Sequence, residues 1–363
     1  MACIGVGGQG WFNLRAISRS TPVTAICDVD FVALERAHRS YPDCPCFSSI
    51  EQLFEQPEAF DAVVISIPDH AHLEAIVLSL RHDKHCFCEK PLVHDLEALR
   101  HVRDTLQGSN SVSCLGCQGA YSSRFSYLTH LLRAIPLDEV VELVAWTDRP
   151  GAYWNASPAR LSTCAGSREQ LNWMGWLSRA ESEEYDESLH PMRWRARKGF
   201  GTSPIGDMGS HLLALPMVAF HGEGVSNCDI VRKEHGSTSE YPDSLELTAI
   251  IHAGDGDLAL RWYHGAFSPD RSPFGRIRCA ENGILLKLED RDIYIPEWNC
   301  SNAFEFRGGE ARRLFDGLTF EPEIDIFDQW ITASRDHRKM LTDFESFGIP
   351  FMTVLLGLLR AIE

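Results

Sequence analysis

The chain has 363 residues, of which 44% are apolar and 23% charged, a composition typical of about two folded domains and not of a disordered protein. Its 51 acidic and 34 basic residues leave a net charge of −17, which repels phosphate backbones and excludes a general nucleic-acid-binding protein. The longest apolar stretches, such as residues 351–359, are far shorter than the ~20 residues that span a bilayer, so we expect no membrane segment. The opening MACIGVGGQG lacks the basic region and cleavage site of a secretory signal, and we expect a cytoplasmic protein.

Short apolar runs alternate with amphipathic stretches over the first 122 residues. The predicted strands are residues 2–6, 23–27, 62–67, 85–88 and 112–116, and the predicted helices are residues 11–20, 31–40 and 70–82. Strands that alternate with helices in this way form a parallel sheet with helices on both faces. We therefore predict a doubly wound α/β domain over residues 1–122.

A glycine pattern, G-x-G-x-x-G at residues 5–10, directly follows the first predicted strand and opens a helix. Gly5 allows the tight turn, Gly7 lets the backbone approach a diphosphate, and Gly10 lets the helix pack on the strand. Amide groups at the start of a helix also attract phosphate. The pattern predicts a Rossmann dinucleotide site bound by Gly5, Gly7, Gly8, Gln9 and Gly10.

An acidic residue, Asp28, ends the second predicted strand at about the spacing from the glycines that dinucleotide-binding domains show, ~20 residues. A carboxylate there accepts hydrogen bonds from the ribose hydroxyls and repels a 2′-phosphate. We therefore expect NAD as the cofactor and NADP as the less favoured one. Asp30 is the second candidate for the same role.

Two further groups carry candidate chemistry. Glu89 and Lys90 close the predicted strand 85–88, where the ligands of a doubly wound sheet bind, although a surface ion pair is the plain alternative. Asp207 and His211 are four residues apart at the start of an apolar helical run, so they share one helical face. A carboxylate beside a histidine raises its basicity, as a general base requires. The alternative is an aspartate at a helix N-cap beside a structural histidine.

The second part of the chain has predicted strands with fewer helices between them, at residues 140–146, 245–252, 258–263, 276–280 and 284–288. This pattern predicts an α+β domain over residues 123–363 with a large, mostly antiparallel sheet. Residues 149–201 form a long stretch rich in tryptophan and arginine, which is typical of a functional wall. We expect Arg149, Trp194 and Arg195 to contact substrate, with Tyr153 and Trp154 in the same stretch. The alternative is that these aromatic rings only pack the segment.

The chain has 12 cysteines, and the pairs Cys86/Cys88 and Cys114/Cys117 have spacings seen in zinc or redox sites. These residues lie in apolar, strand-like runs, where a thiol acts as a small hydrophobe. We expect two buried parallel strands and no metal site.

Together the motifs GVGGQG (5–10), CDVD (27–30), IPDHAH (67–72), CEKPL (88–92) and GDMGSH (206–211) resemble one family. It is the glucose–fructose oxidoreductase, inositol 2-dehydrogenase and rhizopine-catabolism family (Gfo/Idh/MocA) of NAD(P)-dependent oxidoreductases. One departure is Ile67, which stands where the family usually has threonine. The resemblance covers nearly the whole chain and implies an open-faced second sheet that forms a homodimer or homotetramer.

The resemblance also implies residue roles. Lys90 would hydrogen-bond the reacting oxygen of the substrate, Asp207 would hold substrate hydroxyls, and His211 would be the general base. Pro68 and His72 would line the nicotinamide ribose.

The expected function is hydride transfer between NAD and a hydroxyl carbon of a sugar, sugar derivative or polyol. Two alternatives remain at this point: an NAD-dependent glycosidase that uses transient oxidation and elimination, and a non-catalytic NAD-binding sensor or scaffold protein. Lys90, Asp207 and His211 together favour an enzyme, because a sensor does not need them.

Overall fold

A computed structural model describes residues 1–150, 162–180, 184–234, 239–254 and 256–363. The strands in this part of the chain are β1 Ala2–Ile4, β2 Ala25–Cys27, β3 Cys46–Phe47, β4 Ala62–Ile65, β5 His85–Cys88, β6 Ser113–Leu115, β7 Val140–Thr147, β8 Gly222–Glu234, β9 Ser244–Ala253, β10 Gly256–His264, β11 Asn282–Leu288, β12 Asp292–Pro296, β13 Phe304–Arg307 and β14 Glu310–Arg313. The α-helices are α1 Gly8–Ile17, α2 Phe31–Ser40, α3 Ile50–Leu53, α4 His72–Arg81, α5 Leu96–Leu106, α6 Ser123–Arg133, α7 Trp173–Leu177, α8 Ser203–Asp207, α9 Gly209–Leu212, α10 Ala214–Phe220, α11 Ile326–Arg335 and α12 Ile349–Arg360.

The chain forms two compact units. The first contains the described residues within 1–116, 154–201 and 325–349, and the second contains those within 117–153, 202–324 and 350–363. Part of the stretch that the sequence places in the second domain therefore makes its contacts within the first unit. The domain boundary at residue 122 stays a prediction.

The first unit is built on a six-stranded parallel sheet in the order β3-β2-β1-β4-β5-β6. Residues of β1, β2 and β4 are buried apolar side chains, as expected for a sheet covered on both faces. This order is that of a doubly wound dinucleotide-binding fold, which confirms the predicted α/β class. The carboxyl ends of these strands therefore lead into the residues of the predicted site: β1 into the glycine turn, β2 into Asp28, β4 into the loop with Ile67, and β5 into Glu89.

A second layer of the first unit comes from residues 162–180 and 184–201. The backbone N–H of Asn172 donates to the carbonyl of Val29 at 2.8 Å, just beyond β2. The anchoring side chains form an apolar cluster of Ala165, Leu171, Trp173, Trp176, Leu177, Leu189, Trp194 and Phe200. Trp173 and Trp176 stack with ring centroids 4.8 Å apart. This segment therefore packs where β2 and β4 end.

The second unit contains an eight-stranded sheet in the order β14-β13-β12-β11-β7-β10-β9-β8. Only the β7–β10 pairing is parallel, so the sheet is mixed and mostly antiparallel, which confirms the predicted α+β class. The expected homodimer or homotetramer through this sheet stays a prediction.

One predicted strand of the second unit, residues 276–280, is wrong. These residues form a turn and an irregular segment: the Ile277 N–H donates to the carbonyl of Phe274 at 2.8 Å, and the backbone of Ala280 bonds to side chains. The Ala280 N–H donates to the hydroxyl of Tyr294 at 2.8 Å, and its carbonyl accepts from Trp146 Nε1 at 2.9 Å. Side-chain partners of this kind satisfy a backbone without sheet pairing.

The cysteines behave as predicted in the parallel sheet. Cys86 and Cys88 lie in β5 and Cys114 in the neighbouring β6, and all three are buried. Burial raises the pKa of the Cys86 and Cys88 thiols well above the ordinary value, which keeps them protonated. Among the described residues, no helix has both the length and the apolar character needed to cross a bilayer.

Candidate functional site

The glycine turn is fixed by two close approaches of the backbone. Gly5 has φ +82°, and a Cβ there would lie 2.3 Å from the carbonyl oxygen of Ser66. A Cβ on Gly10 would lie 2.0 Å from the carbonyl oxygen of Gly5. Both distances are far below van der Waals contact, so only glycine fits at either position. The turn therefore brings the start of α1 directly against the ends of β1 and β4.

Gly7 and Gly8, unlike Gly5 and Gly10, border open space: a Cβ on either would meet no atom within 4 Å. Gly8 begins α1, whose first amide groups carry the positive end of the helix dipole. The space in front of the first amides of α1 is open, and it lies between Gly5 and Gly10, where the backbone is closely packed. A diphosphate group fits such a space. The residues present therefore fit a dinucleotide cofactor, with its diphosphate on the amides of the glycine turn.

This contrast gives a paired prediction. Gly10→Ala is expected to destabilise the fold by about 1–3 kcal/mol, because the added methyl overlaps backbone. Gly8→Ala is expected to leave the melting temperature unchanged or slightly raised, since alanine favours a helix, while weakening NADH binding. Thermal unfolding and NADH fluorescence titration of both variants measure the two effects. Loss of stability in Gly8→Ala with unchanged NADH affinity would contradict the assignment of this space to the cofactor.

Asp28 lies at the end of β2 with both carboxylate oxygens engaged. Oδ2 accepts from the Val6 N–H at 2.7 Å, and Oδ1 accepts from the Asp30 N–H at 2.9 Å. Its residual exposure is 8%, and burial raises the pKa of this carboxyl to about 6, opposed by these two hydrogen bonds. The carboxylate thus tethers the glycine turn to β2. Its predicted contact with the ribose stays a prediction.

Arg36 is a cation beside the glycine turn that the sequence analysis missed. Its Nη2 donates to the carbonyl of Val6 at 2.7 Å, and its guanidinium lies 4.4 Å from the ring centroid of Trp11. Arg36 therefore fixes the turn from α2 while Asp28 fixes it from β2. No short motif could have indicated this contact, because it joins two helices across the end of the sheet.

Asp30 has a role of its own in the structure. Its Oδ1 accepts from the N–H groups of Val32 and Ala33, which caps the start of α2. Its Oδ2 accepts from the Ala165 N–H at 2.8 Å and lies 2.9 Å from His190 Nε2. Its contacts are therefore with the helix that it starts and with the packed segment beyond residue 162.

Glu89 directly follows β5 and is buried in a hydrogen-bond network with α1. Its Oε1 accepts from Asn13 Nδ2 at 2.8 Å, and the same amide donates to the hydroxyl of Ser66 at 2.9 Å. Gln9 Nε2 donates to the carbonyl oxygen of the Asn13 side chain at 3.0 Å. Burial raises the pKa of Glu89, and the Asn13 hydrogen bond and the Lys90 charge oppose that rise. The network joins the ends of β4 and β5 to the helix that opens the glycine turn.

His72 holds the two loops that flank the predicted nicotinamide region. Its Nε2 lies 2.9 Å from the carbonyl oxygen of Ile67, and its Nδ1 lies 2.9 Å from that of Pro91. The ring is 1% exposed, and burial lowers the pKa of His72. Pro68 precedes the turn into α4. His72 is thus a positioning residue for the loop that carries Lys90, and contact of His72 or Pro68 with the cofactor stays a prediction.

Lys90 is the second residue after β5 and is half-buried, in a turn that the His72 ring contacts at Pro91. It therefore lies at the carboxyl end of a central strand, beside Glu89, as the sequence predicts. The structure brings Gly5, Gly10, Glu89 and Lys90 together around the ends of β1, β4 and β5.

In the second unit, Asp207 forms an ion pair with Arg149, whose Nη1 lies 3.2 Å from its Oδ2. Asp207 ends α8 and is the N-cap of no described helix, so the N-cap alternative is wrong. The paired guanidinium fixes the direction of the carboxylate. The structure thus unites two residues that the sequence analysis placed in different roles.

His211 lies in α9, and its ring centroid is 4.9 Å from that of Trp298 with the planes tilted by 43°. Trp298 follows β12 and was missed by the sequence analysis, because its only signal is a lone tryptophan after a strand. A large ring against an imidazole limits the orientations that the imidazole adopts.

Trp194 and Arg195 belong to the first unit. Trp194 is buried in the apolar cluster and donates from Nε1 to the carbonyl of Pro191 at 3.2 Å. The Arg195 guanidinium lies 4.3 Å from the Trp194 ring centroid. Packing therefore accounts for Trp194, and a substrate contact of either residue stays a prediction. Tyr153 and Trp154 lie outside the described residues.

A comparison of sequences identifies the first domain. Residues 1–116 match the profile of the Gfo/Idh/MocA group, described as an oxidoreductase family with an NAD-binding Rossmann fold. This domain belongs to the Gfo/Idh/MocA family. The resemblance drawn from the motifs is thereby confirmed.

Curated relatives match over part of their length. Inositol 2-dehydrogenase of Agrobacterium fabrum is 28% identical over 105 residues, which are 28% of this chain and 31% of that protein. Inositol 2-dehydrogenase of an Arthrobacter species is 24% identical over 147 residues, which are 39% of this chain and 43% of that protein. The chain therefore spans less than half the length of these relatives.

Solved structures match over nearly the whole fold. The WlbA dehydrogenase of Bordetella pertussis, in complex with NADH and UDP-GlcNAcA, has a TM-score of 0.69 at 15% identity, covering 99% of this chain and 95% of that one. A 3-ketoreductase variant from Actinomadura kijaniata, in complex with TDP-benzene and NADP, has a TM-score of 0.65 at 15% identity, covering 99% and 96%. At these identities the likeness shows only that this chain adopts the same fold.

His70, in the Gfo/Idh/MocA domain, gives a pH prediction. It is fully buried, its Nε2 lies 2.8 Å from the Trp176 carbonyl oxygen, and burial lowers its pKa from 6.5 to about 3. Below pH 6.5 the unfolded chain therefore binds a proton that the folded chain does not, so stability falls as the pH drops toward 3. One such group contributes a slope of up to about 1.4 kcal/mol per pH unit.

We expect His70→Gln to reduce that slope, as measured by urea unfolding at several pH values between about 7 and 5. The quantity compared is the change in the free energy of unfolding per pH unit, so a uniform loss of stability in the variant does not affect it. His221→Gln, at an exposed position, is the matched control. Equal slopes for the wild type and His70→Gln would remove His70 from the acid sensitivity of the fold.

Proposed function

We propose that this chain is an NAD-dependent oxidoreductase that transfers hydride between a hydroxyl carbon of a sugar, sugar derivative or polyol and the nicotinamide. The observation that carries the proposal is the open space before Gly7 and Gly8 beside the buried Asp28, in a domain of an NAD-binding oxidoreductase family. The curated relatives named inositol 2-dehydrogenase support a polyol or sugar as substrate. When bound, the cofactor supplies the carbon that accepts or donates hydride.

Residues with a proposed role occur in each unit. In the first, Lys90 would donate a hydrogen bond to the reacting oxygen and stabilise negative charge as it develops there. Its backbone position is supported by His72, which contacts the next residue, and by the buried Glu89. A cation held on a strand end in this way is an effective donor, because little reorganisation is needed during the reaction.

In the second unit, His211 would remove the hydroxyl proton and Asp207 would hold neighbouring hydroxyls of the substrate. Trp298 supports the orientation of His211, and Arg149 supports that of Asp207. A carboxylate with one oxygen on a guanidinium still has lone pairs to accept hydrogen bonds from hydroxyls. We propose that Arg149 acts both on Asp207 and on polar edges of the substrate.

The proposed preference for NAD follows from charge. Asp28 and Asp30 both lie at the end of β2, where the carboxylates oppose a further phosphate. Arg36 is the nearby cation, and its Nη2 already donates to Val6. We expect NADH to bind at least about tenfold more tightly than NADPH, equal to about 1.4 kcal/mol. Parallel fluorescence titrations measure this ratio, and tighter binding of NADPH would contradict the assigned role of Asp28.

The test of function is a panel of sugars, uronic acids, inositols and glycosides, with NAD and NADP in parallel. NADH absorbance reports net oxidation, and chromatography of products reports turnover that leaves the cofactor unchanged. Net NADH formation with a sugar or polyol supports the proposal. Cleavage of a glycoside without net NADH would favour a glycosidase, and tight NADH binding without any product would favour a sensor.

A further inference from the structure

Three side chains from distant parts of the sequence meet beyond the end of β2: Asp30, Cys164 and His190. One carboxylate oxygen of Asp30, the sulfur of Cys164 and one ring nitrogen of His190 all lie within 4.8 Å of one another. All three belong to the first unit. The cluster is shielded from solvent, since the Asp30 side chain is 3% exposed, that of His190 12%, and Cys164 8%. Among the described residues, this is the one group of histidine, cysteine and acidic side chains with such spacing.

The carboxylate of Asp30 is oriented before any ligand arrives. Its Oδ1 is fixed by the Val32 and Ala33 N–H groups, and its Oδ2 accepts one hydrogen bond from the Ala165 N–H. The second acceptor site of Oδ2 faces His190 Nε2 at 2.9 Å. Supporting hydrogen bonds of this kind orient the ligands of metal sites. Cys164 is joined directly to Ala165, so the residue that supplies the thiol also adjoins the supporting amide.

We propose that Asp30, Cys164 and His190 form a binding site for a divalent transition-metal cation such as zinc. The ligand set is one sulfur, one nitrogen and one oxygen, which is a combination that zinc accepts, and a water would complete a tetrahedron. In such a site, neighbouring ligand atoms are roughly 3–4 Å apart, so the observed cluster needs only small side-chain movements to close on the ion. A thiolate and a carboxylate also balance the charge of a divalent cation, which favours binding in a shielded place.

Metal binding displaces protons from the ligand atoms of Cys164 and His190. The Cys164 thiol loses its proton to solvent as the sulfur–metal bond forms. The hydrogen bond between His190 Nε2 and Asp30 Oδ2 is replaced by two bonds to the metal; the proton leaves Nε2, and His190 binds as a neutral imidazole with its one ring proton on Nδ1. No electron transfer is involved, because the cation keeps its charge throughout.

The ion would anchor the segment that packs on the dinucleotide domain. Cys164 lies near the start of the described part of that segment and His190 in its later half, and Asp30 caps the start of α2. A bound ion would therefore join two separate parts of the segment to the start of α2 and resist local unfolding. Asp30, Cys164 and His190 are far apart in the sequence, so no short ligand spacing indicates this site, and no metal was expected. The site depends on no step of the proposed hydride transfer, and its test uses no NAD.

The experiment starts from full-length protein freed of metal with a chelator. We expect zinc to bind with a stoichiometry near one, measured by elemental analysis after gel filtration, and to raise the melting temperature. Cobalt(II) in its place is expected to give the near-ultraviolet charge-transfer band of a thiolate ligand. Cys164→Ser is expected to abolish that band and to weaken zinc binding at least 100-fold, whereas Cys228→Ser, in β8, keeps both.

His190→Gln provides a second variant in case Cys164→Ser folds poorly, and circular dichroism checks both. It is expected to keep a thiolate but lose at least tenfold in zinc affinity. The proposal is overturned if the wild-type protein binds less than a tenth of an equivalent of zinc, or if Cys164→Ser binds zinc and cobalt as the wild type does. Either result would leave Asp30 and His190 as a hydrogen-bonded pair without a metal.

Discussion

The His211→Asn variant is expected to lose about 10²–10⁴-fold in kcat with any sugar or polyol that the wild-type protein oxidises. Asparagine keeps a polar side chain of similar size in α9, so packing against Trp298 is retained in part. What it removes is the proton acceptor, since an amide is not a base near neutral pH. Initial rates of NADH formation at saturating substrate measure the effect.

The matched control is His252→Asn, at an exposed position in β9 of the same unit, which is expected to keep wild-type kcat. NADH affinity is expected to be unchanged in both variants, because neither histidine is part of the glycine turn. If His211→Asn retains more than half of the wild-type kcat, His211 is not the base.

Lys90→Met is the second variant with a large expected effect, a loss of about 10²–10³-fold in kcat. Methionine keeps much of the aliphatic stem and removes the ammonium group, so the change tests the donor and not the packing. The loss should appear in kcat more than in KM, because negative charge on the substrate oxygen develops only as the reaction proceeds.

Lys84→Met is the control for this variant, because Lys84 adjoins the opposite end of β5, next to the Phe60 ring. It is expected to keep wild-type kinetics. A rise in KM with unchanged kcat in Lys90→Met would assign Lys90 to substrate binding alone and would contradict its role in stabilising the oxygen.

Much of the first unit could be predicted from the sequence because its signals are local. The glycine pattern, the apolar runs of β1, β2 and β4, and the acid after β2 each depend on neighbours within a few residues. The helix at residues 31–40 and the strand at residues 85–88 have the predicted bounds. The strand predicted at residues 62–67 ends two residues early, at Ile65. Ser66 instead packs against Gly5 and accepts a hydrogen bond from Asn13, and the carbonyl of Ile67 lies beside the His72 ring.

The rest could not be predicted because it depends on contacts between distant residues. The strand β8, Gly222–Glu234, has a largely polar sequence, and its long pairing with β9 makes it a strand. Residues 276–280 have the composition of a strand, but Trp146 and Tyr294 provide partners for the backbone of Ala280. The supporting residues of the candidate site, Asn13, Arg149 and Trp298, are recognisable only once the fold places their partners beside them.

Asn13 shows how narrow such a position can be. Its amide gives one hydrogen to Ser66 and one to Glu89, and its oxygen receives one from Gln9. Aspartate has the same shape but no hydrogen to give, and leucine has neither donor nor acceptor. The contacts of Asn13 with Gln9, Ser66 and Glu89 thus depend on a single carboxamide, and no other encoded side chain of the same shape can donate two of these hydrogen bonds and accept the third.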